Sequence, residues 1–252
     1  MKNSVRFSTF FVCALLFAIT GCTDDPVTPP TPTELQMNVG DWSRYEHFTL
    51  DSNNQMIAST RFVKSRTVVQ KDLVVHGQSN VIKMIDSVFL PTGALKSVDS
   101  SFFKISNQKL YVYNFAKLLA GAAPASMGLK SVPTWVAIGS TDSTASNLVM
   151  KDSLMIEVGT SGVQAMQMMG KASGNSSMSN TAQTTFGVVR TDWTVKAGIG
   201  GTTVDIPIEF NFGKGTGSSP VTIVGVQLSG FTAVDTKVSG QRYNLLEFKK
   251  GQ

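Results

Sequence analysis

Val204-Asp205-Ile206-Pro207-Ile208-Glu209-Phe210-Asn211-Phe212 carries an apolar residue at every even position and a polar residue or proline at every odd one. Successive side chains of a β-strand point to opposite faces, so this spacing predicts a strand with one buried face. Pro207 has no N–H to give to a ladder, which places the expected strand at a sheet edge or beside a bulge. Runs of the same texture recur from Trp42 to Leu50, Met56 to Val69, Val81 to Leu90, Ala94 to Ile105, Leu110 to Phe115, Leu148 to Val158, Val163 to Met169, Thr184 to Val195, Val221 to Leu228 and Val238 to Phe248. In the run from Leu148 to Val158, Asp152 is the one charged residue at an otherwise apolar even position.

Turn-forming residues separate these runs, among them Asp51-Ser52-Asn53-Asn54, His76-Gly77, Pro91-Thr92-Gly93, Ser106-Asn107, Gly159 to Gly162, Gly198 to Gly201 and Gly213 to Gly217. Glycine and asparagine tolerate the positive φ angles of tight hairpins, so neighbouring runs are expected to pair antiparallel. The reading is a mainly β domain, a meander of about eleven strands, more than an open twisted sheet carries without curling or splitting. A partly closed barrel or a two-sheet sandwich follows. Phe115, Leu118, Leu119 and Ala122 fall at helical spacing and Pro124 follows them, so one short helix is expected, either as a crossover or as a lid over one end of a barrel. Ser173 to Asn180 is small and polar and reads as a loop. Gly40-Asp41-Trp42 and Val132-Pro133-Thr134-Trp135 open the two halves of the domain but are too short to establish a repeat.

The start of the chain has another texture. Lys2 and Arg6 precede an apolar run from Phe7 to Ile19, broken only by Ser8 and Thr9, and small residues then lead to Cys22. This is the layout of a secretory signal peptide, too short for a stable membrane span. Ile19-Thr20-Gly21-Cys22 resembles a bacterial lipobox, with isoleucine in place of the commoner leucine. The resemblance implies that residues 1–21 are a signal peptide that is removed, and that Cys22 receives a diacylglyceryl group and becomes the first residue of the mature chain. Two or three acyl chains give lasting attachment, since each buried methylene adds about 0.8 kcal/mol. Residues 22–34 then form a tether: four prolines and four threonines between Thr23 and Thr33 cannot build a core. Asp24-Asp25 is similar to the short acidic signals that send some lipoproteins of Bacteroidetes-like bacteria to the cell surface; a solvated linker is the alternative. Residues 35–252 are read as a single β-rich domain. The implied place is the cell envelope, lipid-anchored at the outer membrane, on its periplasmic face or at the cell surface.

Loss of Lys2 and Arg6 takes the formal charge from +5 to +3, and no block of like charges remains to suggest nucleic acid as a partner. Cys13 leaves with the signal and Cys22 is lipidated, so the domain is expected to be held by its core and not by a disulfide. His47 and His76 are the only histidines, without a metal-ligand spacing of Cys or carboxylates around them. No nucleophile elbow, phosphate-binding glycine loop or HExxH motif is present, so no catalytic residue, metal or cofactor is assigned and the chain is not read as an enzyme. Met150, Met155, Met166, Met168 and Met169 lie close together in sequence. They are read as core or pocket fillers in preference to copper(I) ligands, with Met166 and Met168 on one face and Met169 on the other.

Two functions of different class follow. A meander this long must curl, and a curled sheet with an apolar inner face either fills its interior or holds a ligand. The first reading is therefore a lipid or other hydrophobic ligand as partner; in overall plan the chain is similar to the half-barrel lipoprotein carriers and receptors of the Gram-negative envelope. The second is a structural or interaction module of the envelope, with a filled core and a surface for protein or glycan.

Overall fold

The alternating runs pair with their chain neighbours, and the computed structural model describes the outcome for residues 37–122, 128–140, 146–159, 161–199, 202–213, 222–233 and 236–251. The segments read as signal peptide, lipobox with Cys22 and tether lie outside the described residues. The strands β1 (Trp42–Leu50), β2 (Met56–Val75), β3 (Gln78–Phe89), β4 (Leu95–Ser106) and β5 (Lys109–Tyr113) form one meander. The helix α1 (Ala116–Ala122) and two short strands, β6 (Leu129–Ser131) and β7 (Trp135–Ser140), lead to a second meander. That meander runs through β8 (Ser146–Val158), β9 (Val163–Ser179), β10 (Thr185–Ile199), β11 (Thr202–Gly213) and β12 (Ile223–Leu228). A small ribbon of β13 (Phe231–Ala233) and β14 (Thr236–Val238) precedes β15 (Gly240–Lys249).

Among the described residues, thirteen strands make one sheet in the order β6-β8-β9-β10-β11-β12-β15-β1-β2-β3-β4-β5-β7, antiparallel at each pairing described. The last strand, β15, joins the two meanders by pairing with β12 on one side and β1 on the other. Asp41 secures this junction, its carboxylate accepting from the backbone N–H groups of Gly251 and Asn38, each at 2.8 Å. The two edge strands of the sheet, β6 and β7, are consecutive in the chain and separated only by residues 132–134. So short a link spans at most about 14 Å, which forces the two edges toward each other and curls the sheet into a half-barrel. A single curled sheet is therefore the outcome, not a two-sheet sandwich. The strand count exceeds eleven because β6, β13 and β14 are three residues each, too short for a period of two to show, and because β7 is buried from Val136 to Ser140 on both faces and so does not alternate.

Pro207 does not mark an edge. β11 pairs with β10 along its length and with β12 from Ile208 to Phe212, and Pro207 stands just past the last residue of the second ladder. Its carbonyl accepts from the N–H of Ser229 at 3.1 Å, which puts its nitrogen on the side where β12 has ended, so no ladder bond is lost there. The polar segment from Ser173 is also strand, since β9 runs on to Ser179 and pairs with β10 as far as Ser179 opposite Thr185. Its small residues suit a strand once a partner supplies the ladder, and the turn comes one step later, where Asn180 N–H bonds to Thr184 C=O and Gln183 takes a φ of 60°. The β2–β3 turn is as expected: Val75 faces Gln78, and His76 and Gly77 between them both have positive φ.

The core is densest between β7 and the strands β8 to β11. Trp193 is 1% exposed and its indole N–H donates to Ile138 C=O at 2.6 Å. Phe212 packs on Gly139, where a Cβ would stand 2.1 Å from the ring, and Trp193 packs on Gly170, where a Cβ would stand 2.5 Å from the indole. Asp152, the charged exception in its strand, accepts from the backbone N–H of Ala137 at 2.8 Å. Edge strand β7 thus turns its free backbone into the concavity, where side chains of the opposite strands satisfy it.

A half-barrel cavity with a charged wall

The other half of the concavity is not filled. A cavity of about 600 Å³ lies between β1 to β5, β12, β15 and α1, with Ile138 of β7 and Phe210 of β11 at its border. Phe103, Val112, Phe115, Leu118, Phe210 and Val226 give it apolar walls. The expected helix is thus a crossover that also forms a wall, with Phe115, Lys117, Leu118 and Gly121 turned to the cavity. This volume falls within the range of small-molecule sites, which are mostly apolar with a few placed polar groups.

The polar groups here are charged. Arg66 Nε donates to Asp86 Oδ1 at 2.7 Å and Nη2 to Oδ2 at 3.2 Å, and Lys64 Nζ stands 3.0 Å from the same Oδ2. The three side chains are 17%, 8% and 18% exposed for Arg66, Asp86 and Lys64. Burial alone would push the Asp86 carboxyl up, but Arg66 and Lys64 beside it hold it well below the usual carboxylate range. Burial and the neighbouring Arg66 bring the Lys64 ammonium down to about 8, against the pull of Asp86. The Arg66 guanidinium also lies 5.0 Å from the centre of the Phe103 ring and 5.9 Å from that of Tyr45. Tyr243, whose phenol burial raises to about 12, closes the site beside Lys64. At the rim Lys117 and Asp99 pair at 2.5 Å, both exposed.

The two histidines lie in separate aromatic groups. His47 is buried, stacked at 4.0 Å on Phe62 and packed at 4.3 Å against Tyr243. Burial lowers it to about 4, with Lys64 and Lys96 adding to the effect and Gln241 opposing it. His76, on the β2–β3 turn, stacks at 3.9 Å on Tyr113 in a separate aromatic group with Phe102 and Trp135. Met150, Met166 and Met168 are core residues of the filled half, and Met169 is 46% exposed on the opposite face, as alternation requires. Cys22, the one site residue the sequence assigns, lies outside the described residues. The residues that sequence reasoning passed over are Lys64, Arg66 and Asp86. A signal for two of them exists: Phe62, Lys64, Arg66 and Val68 share one face of a strand, and two cations between apolar neighbours on an inward face mark a buried charge.

No family model and no curated protein matches the chain. Among solved structures, a protein from Bacteroides fragilis, provisionally named an exported protein with a YmcC-like fold, is similar at a TM-score of 0.51 and 7% identity, over 86% of this chain and 99% of that one. A protein from Parabacteroides distasonis, provisionally named a lipoprotein, is similar at a TM-score of 0.49 and 11% identity, over 87% of this chain and all of that one. At such identities the likeness concerns the fold.

Proposed function

We propose that this chain is a lipoprotein of the cell envelope, anchored through Cys22 at the outer membrane, whose half-barrel holds a lipid or other hydrophobic ligand. The observation that carries the reading is the cavity of about 600 Å³ between apolar walls, in a chain that fills the other half of the same concavity with β7. A sheet that closed only to make a core would gain about 25 cal/mol for each Å² of apolar surface it covered, and the partly buried walls at Val112, Leu118 and Val226 forgo part of that gain. The signal-like start and the lipobox resemblance support the address, and the Bacteroides fragilis protein of similar fold carries a name that includes export. Binding without catalysis is part of the proposal, supported by two histidines that sit in separate aromatic stacks.

Native mass spectrometry of the chain from residue 34 onward tests the ligand: a co-purified hydrophobic molecule, or uptake of an added fluorescent apolar probe, is expected. A clean mass and no probe uptake would favour an envelope module that binds protein or glycan at its surface. The anchor has its own test. A labelled fatty acid fed to cells should mark the wild type and leave Cys22→Ala unmarked.

A further inference from the structure

We propose that the cavity selects amphiphiles with a singly negative head group, the head received by Lys64, Arg66 and Ser101 and the chain by Phe115, Leu118 and Phe210. This rests on the ligand-binding reading above and narrows it to a chemical class.

The argument starts from an imbalance. Two cations, Lys64 and Arg66, share one carboxylate, Asp86, on the cavity wall. Of the other charges nearby, Asp99 and Lys117 neutralise each other at the rim, at 2.5 Å, and Lys96, over the Phe62 ring, adds to the positive side. One positive charge is therefore in excess among three side chains that are each less than a fifth exposed. A buried charge without a partner is costly, and a chain of this kind keeps one where a ligand supplies the opposite charge. Asp86 engages Arg66 through Nε and Nη2, leaving Nη1 outside that pair. Ser101 adds a neutral donor: its Oγ is buried, lines the same cavity and has no hydrogen-bond partner among the described residues. Ser101 faces Met84 across the β3–β4 ladder, two residues along β4 from Asp99, which faces Asp86. The donor and the cations thus stand on the same inward face, with β3 between their strands and Ser101 one row beyond Arg66. Phe115, Leu118 and Phe210 line the same cavity, so apolar wall stands beside the charged patch.

A head with one negative charge completes the set, and a neutral head leaves the imbalance in place. A cationic head adds to it. The charged groups that act on Lys64 are Arg66 on its own strand and Asp86 and Asp99 on β3 and β4; Tyr243 on β15 lies under it, Tyr45 on β1 lines the same cavity, and His47 on β1 and Lys96 on β4 stand nearby; of these only Asp86 and Asp99 are acidic. An anion bound beside Lys64 should therefore raise its pKa from about 8 and draw in a proton above that pH.

The test uses the chain from residue 22 onward with Cys22→Ser, which carries no lipid, and four probes with the same ten-carbon chain: decanoate, decyl sulfate, 1-decanol and decyltrimethylammonium. Isothermal titration calorimetry at pH 7 and low salt is expected to give at least one anion about tenfold or more tighter than decanol, with the cation weakest. The order of decanoate and decyl sulfate reports whether a planar or a tetrahedral head fits. Lys64→Met removes the excess charge and leaves the Arg66–Asp86 pair intact; it should abolish the anion preference while decanol binds as before, and Lys64→Arg should keep the preference. At pH 9, titrations in two buffers of different ionisation enthalpy should show proton uptake with the anion in the wild type and none in Lys64→Met. Equal affinity for the anions and decanol would overturn the head-group assignment and leave the cavity reading standing. If none of the four probes binds, the cavity reading falls with it.

Discussion

The two halves of the half-barrel are built from the same kind of strand and end differently. On one side, the edge strand β7 enters the concavity and is locked by Trp193, Asp152 and Phe212, each meeting a backbone group or a glycine of β7. On the other, the wall presents Lys64, Arg66 and Asp86 where the first side presents Met168, Ile208 and Leu154. Charged side chains cannot be covered by an apolar strand without losing their solvation, so that half stays open. The contrast teaches that closure of a curled sheet is decided locally.

The largest expected effect comes from placing the same charge in each half. Ile208→Asp puts a carboxylate among packed side chains that exclude water and should cost about 4 kcal/mol or more of a total near 5–15 kcal/mol. Val226→Asp puts it on the cavity wall beside Tyr243, where water and Lys64 can reach it, and should cost at least about 2 kcal/mol less. Urea denaturation of the two variants measures the difference, and equal losses would mean that the two halves do not differ in their access to water. The next effect is a response to acid. His47, held near 4 in the folded state against an ordinary value of 6.5, binds fewer protons than the unfolded chain between those values. Its contribution is complete above pH 6.5 and is lost as the pH falls through 4, a loss of about 3 kcal/mol at most. His47→Phe should flatten the stability profile over that interval, and an unchanged profile would show that the ring is not shielded as its stacking implies. The smallest effects compare two glycines. A Cβ at Gly139 would meet the Phe212 ring, so Gly139→Ala should cost about 1–3 kcal/mol. A Cβ at Gly121 meets nothing within 4 Å, and Gly121→Ala, on a helix facing the cavity, should be neutral or stabilise by up to about 1 kcal/mol. Thermal melts of the pair report whether one half is packed and the other open; matching shifts would erase the distinction.

Some of this was legible in the residues and some was not. The strand at β11, the turn at His76-Gly77 and the helix at α1 follow from periods and turn chemistry confined to a few neighbouring residues. Glu209 was legible as an outward residue but not as one held in place: it pairs with Arg190 at 3.0 Å and accepts from Asn211 at 2.7 Å. The short edge strands β6 and β7 left no periodic trace, and with them went the reason the sheet curls.

What the sequence determined by itself is the alternation of faces, the antiparallel partners that short turns enforce, and an apolar start ending in a lipobox-like cysteine. Each of these is set by chemistry within about ten residues. The charged wall was decided only by the tertiary structure. Counting back from the His76-Gly77 turn, where Val75 faces Gln78, an uninterrupted ladder would set Arg66 opposite Ser87 and leave Asp86 opposite Thr67, on the other face of the sheet. Irregularities between Val68 and Val75, with Asp72 at a φ of 59°, shift the register by one residue and bring Asp86 opposite Arg66. A one-residue slip moves every later side chain to the opposite face. Whether such bulges form depends on what the twisted strand packs against, and neither β2 nor β3 carries that information alone.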